Sequence, residues 1–127
     1  MHPALSRALQ PVLRDMASTD VPAPERIEGD AWDAGPGTAS AMVRSRDGSG
    51  IGVSIDLHAP FVDQVAQATR QVHEWAIEEL GSTTRTNWPP CPRHPGTHPL
   101  ELGGPEGENW WACPRDGTLV VWVGRLS

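Results

Sequence analysis

The 127-residue chain contains no Lys and no Tyr, one Phe and two Cys. Its ten basic residues are therefore all Arg, and they stand against sixteen Asp and Glu for a formal net charge of −6. A duplex-binding surface needs clustered positive charge to displace counterions, so this balance argues against one. We expect the acidity to serve solubility. The missing residue types have AT-rich codons, which indicates a GC-rich genome, such as that of an actinobacterium or one of its phages.

Long apolar runs are also missing. No stretch approaches the roughly 20 apolar residues that span a bilayer, and no apolar segment follows Met1 as it does in a secretory signal peptide. We therefore expect no membrane partner and a cytoplasmic or virion-associated protein. The length suits one domain, or one small domain with an appended module.

The N-terminal segment, residues 1–37, is predicted to be a helix followed by a linker or arm. Apolar residues at helical spacing predict an amphipathic helix over residues 3–17, in which Pro11 either introduces a kink or marks the first turn. Residues 17–37 are rich in Pro, Gly and Asp and are typical of a loop. An isolated Trp in such a loop, Trp32, most often covers an edge of the core and less often marks a partner surface.

The second segment, residues 38–82, is predicted to be a β-hairpin packed on a helix. Asp47-Gly48 lies between two runs of alternating apolar residues over 38–57, which is the strongest short-range signal for a hairpin. A hairpin alone is marginally stable, so it must pack on something. Residues 60–80 carry an apolar stripe from Phe61 to Leu80 and polar residues, including several Gln, on the other side, which predicts a long amphipathic helix. Pro60 and Gly81 suit its two ends.

Histidines occur on these elements too. His73 is expected on the polar face of the helix and His58 at the surface after the hairpin. His73-Glu74 resembles the start of a metalloprotease H-E-x-x-H motif, but Ile77 stands where the second His would be. With no Gly-rich phosphate loop and no nucleophile–base pair in the sequence, we expect no enzymatic activity.

The third segment, residues 83–127, carries a repeated motif. Cys91-Pro-Arg-His94 returns as Cys113-Pro-Arg-Asp116, and His98 lies between the two copies. Zinc sites take four Cys and His ligands, typically two from each of two tight turns. We predict Zn²⁺ bound by Cys91, His94, His98 and Cys113, with Asp116 as the alternative to His98.

Two other interpretations of the cysteines remain open. A Cys91–Cys113 disulfide would close about 22 residues and contribute roughly 3 kcal/mol, but it would leave the two histidines without a purpose. Two free thiols in separate turns are the other alternative. Structural zinc contributes an apparent ~10–16 kcal/mol of folding free energy in small peptides. A segment with so little regular core needs a cross-link of about this strength to fold.

The C-terminal part, from Trp88-Pro-Pro-Cys91 through Trp111-Ala-Cys113-Pro to Val123-Gly-Arg-Leu126, resembles the zinc-ribbon-like tail of small proteins of actinobacteria and their phages. The resemblance covers roughly residues 60–127. It implies a metal-binding ribbon and no enzymatic activity. The two copies of the motif end differently, in His94 and in Asp116, which departs from an ordinary four-cysteine ribbon and leaves the identity of the fourth ligand open.

The resulting expectation is an α+β protein in which an N-terminal helix and a hairpin pack on a long amphipathic helix, followed by a zinc-ribbon-like β module. We expect a non-enzymatic structural or adaptor protein, stabilised by one structural zinc, that presents a surface to a protein partner, with a phage or phage-like assembly as one setting. Six Trp in so small a chain favour this, because Trp is enriched at interface hot spots. The alternative is a nucleic-acid-binding ribbon that uses four arginines, which are Arg85, Arg93, Arg115 and Arg125.

Overall fold

The computed structural model describes residues 1–29, 32–81 and 87–127. Within these residues the chain forms two helices and two three-stranded antiparallel sheets, ordered β1-β2-β3 and β4-β5-β6, which confirms the predicted α+β class. The elements, in chain order, are α1 (Pro3–Ser18), β1 (Arg26–Glu28), β2 (Thr38–Arg44), β3 (Gly50–Asp56), α2 (Phe61–Gly81), β4 (Glu101–Gly103), β5 (Trp110–Ala112) and β6 (Leu119–Trp122).

Helix α1 forms where its apolar periodicity predicts it. Pro11 lies inside the helix and does not end it. The His2 ring accepts the Ala4 N–H at 3.0 Å and so caps the first turn. The apolar stripe is buried, with Leu5, Ala8, Leu9, Val12 and Met16 at 1% exposure or less.

Strands β2 and β3 form the predicted hairpin, with Val43 opposite Ile51 and Arg44 opposite Gly50. Gly48 in the turn has a φ of 90°, a conformation that glycine adopts without strain. Burial alternates along β2, where Ala39, Ala41 and Val43 face the core.

One strand lies where a linker was predicted. Strand β1 pairs antiparallel with β2, Ile27 lying opposite Val43. The Arg44 guanidinium on β2 contacts the Glu28 carboxylate at 2.7 Å. Three residues are too few to show a period of two, so this strand could be recognised only from its pairing partner. The prediction of loop throughout residues 17–37 was therefore wrong at β1.

Helix α2 packs along β3, but its glutamines do not face solvent as predicted. Gln71 both accepts the Ser54 N–H at 2.9 Å and donates to the Ser54 carbonyl at 2.7 Å. Gln67 accepts the Asp56 N–H at 2.8 Å, and Gln64 donates to the Asp56 carbonyl at 3.0 Å. These amides take the place of a neighbouring strand along the edge of β3, which protects that edge from pairing with another chain. Phe61, assigned to the apolar stripe, is 54% exposed.

One apolar core contains side chains from all three predicted segments, including Leu9 of α1, Val53 of β3 and Trp111 of β5. The division into residues 1–37, 38–82 and 83–127 stays a prediction, and the boundary at residues 82 and 83 lies outside the described residues. Among the described helices, neither is both long and apolar enough to cross a bilayer.

Candidate metal centre

Two tight turns carry the repeated motif. In the first, the His94 N–H donates to the Cys91 carbonyl at 3.3 Å. In the second, the Gly117 N–H donates to the Cys113 carbonyl at 2.8 Å, and Gly117 has a φ of 77°. Glycine adopts this left-handed conformation without strain, and it lets the chain turn back towards β6. Each turn therefore curls around the side chain of its own cysteine.

The two turns bring four side chains to one point. The His94 Nδ1 lies 3.7 Å from the Cys91 Sγ and 3.4 Å from the Cys113 Sγ. The His98 Nε2 lies 3.2 Å from the His94 Nδ1 and 4.0 Å from the Cys113 Sγ. These four ligand atoms all lie within 4.8 Å of one another, so the cluster could hold a metal ion.

Burial gives the cluster a dry side and a wet side. Both cysteines are 1% exposed, whereas the two histidines are half-buried. Burial raises the pKa of the Cys113 thiol, while hydrogen bonds from the backbone N–H groups of Asp116 and Arg115 act in the opposite direction. A bound cation would favour the thiolate that these N–H groups already solvate.

His98 is oriented by the backbone next to it. Its Nδ1 lies 3.0 Å from the Pro99 carbonyl oxygen, which can only accept, so Nδ1 carries the proton. The unprotonated Nε2 then faces the cluster. A histidine ligand held in this way by its second nitrogen is the usual arrangement at metal sites.

Asp116, the alternative fourth ligand, is engaged elsewhere. Its Oδ1 accepts the Thr118 N–H at 2.9 Å, and its Oδ2 accepts from the Arg93 Nε at 2.7 Å. The N–H and hydroxyl of Thr118, together with the Arg93 guanidinium, hold the pKa of Asp116 well below its usual range. The structure thus brings His98 into the cluster, while Asp116 links the second turn to Arg93 of the first.

The cluster rests on a buried aromatic group that sequence reasoning missed in part. His73 of α2 is 7% exposed, and its Nε2 lies 2.7 Å from the Trp88 carbonyl oxygen. Its ring also makes edge contacts with Trp88 and Trp111, whose centroids lie 6.0 and 5.1 Å away. Burial lowers the pKa of His73, which favours the neutral ring. The prediction that His73 lies on a polar face was wrong, although its spacing from Thr69 and Ala76 places it on the buried stripe.

A second buried group joins α1 to the C-terminal segment. Asp15 is 0% exposed and accepts hydrogen bonds from the Trp111 Nε1 at 2.7 Å, the Gly124 N–H at 2.7 Å and the Leu126 N–H at 2.9 Å. Nothing in the sequence near the cysteines points to this residue. The only local indication that Asp15 is buried is its position on α1, three residues after Val12, on the apolar face of the helix.

No protein-family model, no curated protein and no solved structure matches the chain. The function must therefore be argued from the cluster and the surfaces around it.

Proposed function

We propose that the protein is a non-enzymatic adaptor whose C-terminal segment is a zinc-ribbon-like module, held by one structural Zn²⁺ on Cys91, His94, His98 and Cys113. The observation that carries the proposal is the convergence of two sulfur and two nitrogen atoms within 4.8 Å. The two cysteines lie in separate turns of the same segment, so a bound ion would cross-link it.

The spacing of the ligand atoms fits zinc. A tetrahedral ion with Zn–S bonds of about 2.3 Å and Zn–N bonds of about 2.0–2.1 Å separates its ligand atoms by about 3.3–3.8 Å. The sulfur–nitrogen distances of 3.4, 3.7 and 4.0 Å and the nitrogen–nitrogen distance of 3.2 Å lie at or near that range, and the remaining distances between the ligand atoms are at most 4.8 Å.

Charge and coordination number favour a structural role. Two thiolates and two neutral imidazoles neutralise Zn²⁺, and a neutral site can be buried at low cost next to the core. Four protein ligands complete the tetrahedral shell, whereas a catalytic zinc keeps one position for water. The chemistry that the ion supplies here is cross-linking, which is worth about 10–16 kcal/mol in small zinc peptides.

The adaptor role rests on the tryptophans. Trp75, Trp88 and Trp111 are at most 4% exposed and belong to the core, while Trp32 and Trp122 are 38% and 44% exposed. The core therefore contains only some of the tryptophans. Others are exposed at the surface, and Trp is a residue type that often contributes most to the binding energy of an interface. A phage or phage-like assembly is one setting in which such an adaptor would serve.

The nucleic-acid-binding alternative finds little support. Of its four arginines, Arg93 is paired with Asp116 at 2.7 Å, and Arg85 lies outside the described residues. Arg115 and Arg125 remain exposed, and two cations in a chain of charge −6 supply few phosphate contacts.

The test is the metal content of the protein purified without added metal, measured by elemental and native mass spectrometry. We expect one zinc per chain, lost in Cys91→Ser and weakened in His98→Ala. Two control variants should keep the ion. His58→Ala removes an exposed histidine away from the cluster, and Asp116→Asn removes the alternative ligand.

The outcomes separate the interpretations. Loss of zinc in Asp116→Asn but not in His98→Ala would show that Asp116, and not His98, is the fourth ligand. A metal-free protein with a Cys91–Cys113 disulfide, seen as a mass two protons lower before reduction, would refute the zinc proposal.

A further inference from the structure

The outward side of the β4-β5-β6 sheet carries an aromatic surface that is partly exposed. Register places Gly103, Trp110 and Trp122 side by side across the three strands, and Glu101, Ala112 and Leu119 in the next row. We call these six residues the outer face. Leu119 is 40% exposed and Trp122 44% exposed, whereas Trp111, on the opposite side of β5, is 0% exposed.

The two tryptophans of the outer face are preorganised. Their ring centroids lie 4.2 Å apart with an angle of 28° between the rings, which is a stacked pair. A Cβ on Gly104 would lie 2.6 Å from the Trp110 ring, so only glycine there lets the chain pass over that ring. The Trp110 Nε1 donates to the Glu108 carboxylate at 3.1 Å. Trp122 is therefore presented on a fixed support, at little conformational cost to a ligand.

The other exposed tryptophan differs in this respect. Trp32 lies on Gly52 of the other sheet, where a Cβ would come within 2.8 Å of the indole. Its exposure of 38% is close to the 44% of Trp122, but its ring covers a glycine of its own chain. Trp32 thus has an intramolecular role and provides a matched control for Trp122.

Carboxylates are the charged groups of the outer face itself, whereas Arg70 of α2 lines a groove beside Gly103 and Glu108 that neither Trp110 nor Trp122 lines. Glu101 belongs to the face and Glu108 lies at its edge, and strands β4, β5 and β6 contain no Arg. Arg125 lines the groove on the other side of the sheet, together with Trp88 and Leu100. An indole face next to carboxylates attracts a cation, because the ring quadrupole and the carboxylate charge act in the same direction.

We propose that the outer face binds an arginine-containing segment of a protein partner, with a guanidinium stacked on Trp122 and its charge met by Glu101 and Glu108. This inference rests on the proposed adaptor function and names the partner's chemistry. A second copy of the chain fits less well, because apposing two outer faces would bring their carboxylates together. Nucleic acid fits less well for the same reason.

The test uses the zinc-loaded full chain and a short synthetic peptide of alternating Gly and Arg. The matched probe is the same peptide with citrulline in place of Arg, which keeps the shape of the side chain and removes its charge. Binding is followed by the indole N–H signals in ¹⁵N NMR spectra. We expect the Arg peptide to shift the Trp110 and Trp122 signals, to leave those of Trp88 and Trp111 unchanged, and to bind at least about 10-fold more tightly than the citrulline peptide.

Three variants locate the contact. Trp122→Ala should weaken binding of the Arg peptide about 10-fold or more, and Glu108→Gln should weaken it several-fold and reduce its salt dependence. Trp32→Ala should leave binding unchanged. Zinc content, measured on each variant, should stay at one per chain, so a loss of peptide binding can be told apart from a failure of the zinc module.

Several results would overturn the inference. They are equal binding of the Arg and citrulline peptides, equal loss of binding in Trp32→Ala, and tighter binding of a single-stranded oligonucleotide or a neutral oligosaccharide at Trp122. A Trp122-dependent dimer in sedimentation velocity would assign the outer face to self-association.

Discussion

The Asp15 carboxylate on the first helix accepts a hydrogen bond from the Trp111 indole at 2.7 Å, across 96 positions of sequence. Trp111 lies on the strand that leads directly into Cys113, so this contact places the turn that carries Cys113 relative to α1. The same carboxylate also accepts the N–H groups of Gly124 and Leu126. A fully buried carboxylate with three donors thus links the two ends of the chain, beside the hydrogen bond that the Ser18 hydroxyl donates to the Leu126 carbonyl at 2.6 Å.

Replacing Asp15 by Ala should destabilise the protein by about 3 kcal/mol, because one buried and two part-buried N–H donors lose their acceptor. Urea unfolding followed by circular dichroism measures this change. Glu74→Gln, an exposed acidic position on α2, is the control and should shift stability by less than about 0.5 kcal/mol. Equal small effects of the two variants would show that the Asp15 network is dispensable.

Stability should depend on pH through His73. Burial lowers its pKa below the ordinary value of 6.5, despite the opposing effects of the Trp88 carbonyl and of Glu101 and Glu74. The unfolded chain therefore binds a proton at a pH where the folded protein does not, and stability falls as the pH drops below about 6.5.

This slope should be smaller in His73→Gln, since the amide does not titrate. The measurement is the free energy of unfolding between pH 8 and pH 5.5 for the parent and the variant, with the metal state held equal. Thr69→Val, at a neighbouring buried position of α2 that carries no titratable group, should keep the parent's slope. A slope unchanged in His73→Gln would mean that other groups account for the pH dependence.

Gln71→Ala should cost about 1–2 kcal/mol, because it leaves the N–H and the carbonyl of Ser54 without their partner. Amide exchange at Ser54 should accelerate, while exchange in β2 should change less. Gln10→Ala, at an exposed position of α1, provides the matched control. Unchanged exchange at Ser54 would contradict the view that the α2 glutamines complete the edge of β3.

Arg93→Ala should speed zinc release to a chelator by a few-fold at most, because the ion pair that joins the two turns is partly exposed and screened by solvent. Arg115→Ala is the matched control, since Arg115 holds the same place in the second turn and forms no ion pair among the described residues. Faster release in both variants would indicate a general effect of charge near the thiolates.

Local sequence was sufficient for the elements with strong periodicity. The helices α1 and α2 and the hairpin at Asp47-Gly48 follow from apolar spacing and turn chemistry, because those signals act over a few residues. The four side chains of the metal cluster were also predicted, since two similar turns in one short segment restrict which Cys and His can meet.

Tertiary structure decided what depends on distant partners. Strand β1 forms because β2 lies beside it and pairs with it. The glutamines of α2 face β3 because their side-chain amides pair with backbone groups at the edge of that strand. The choice of His98 over Asp116 depends on Thr118 and Arg93 occupying the Asp116 oxygens. The sequence by itself thus determined the helices, the hairpin and the candidate ligands through short-range patterns. Only the folded chain decided that Asp15 and His73 are buried, because their partners, Trp111 and the Trp88 carbonyl, are 96 and 15 positions away in sequence.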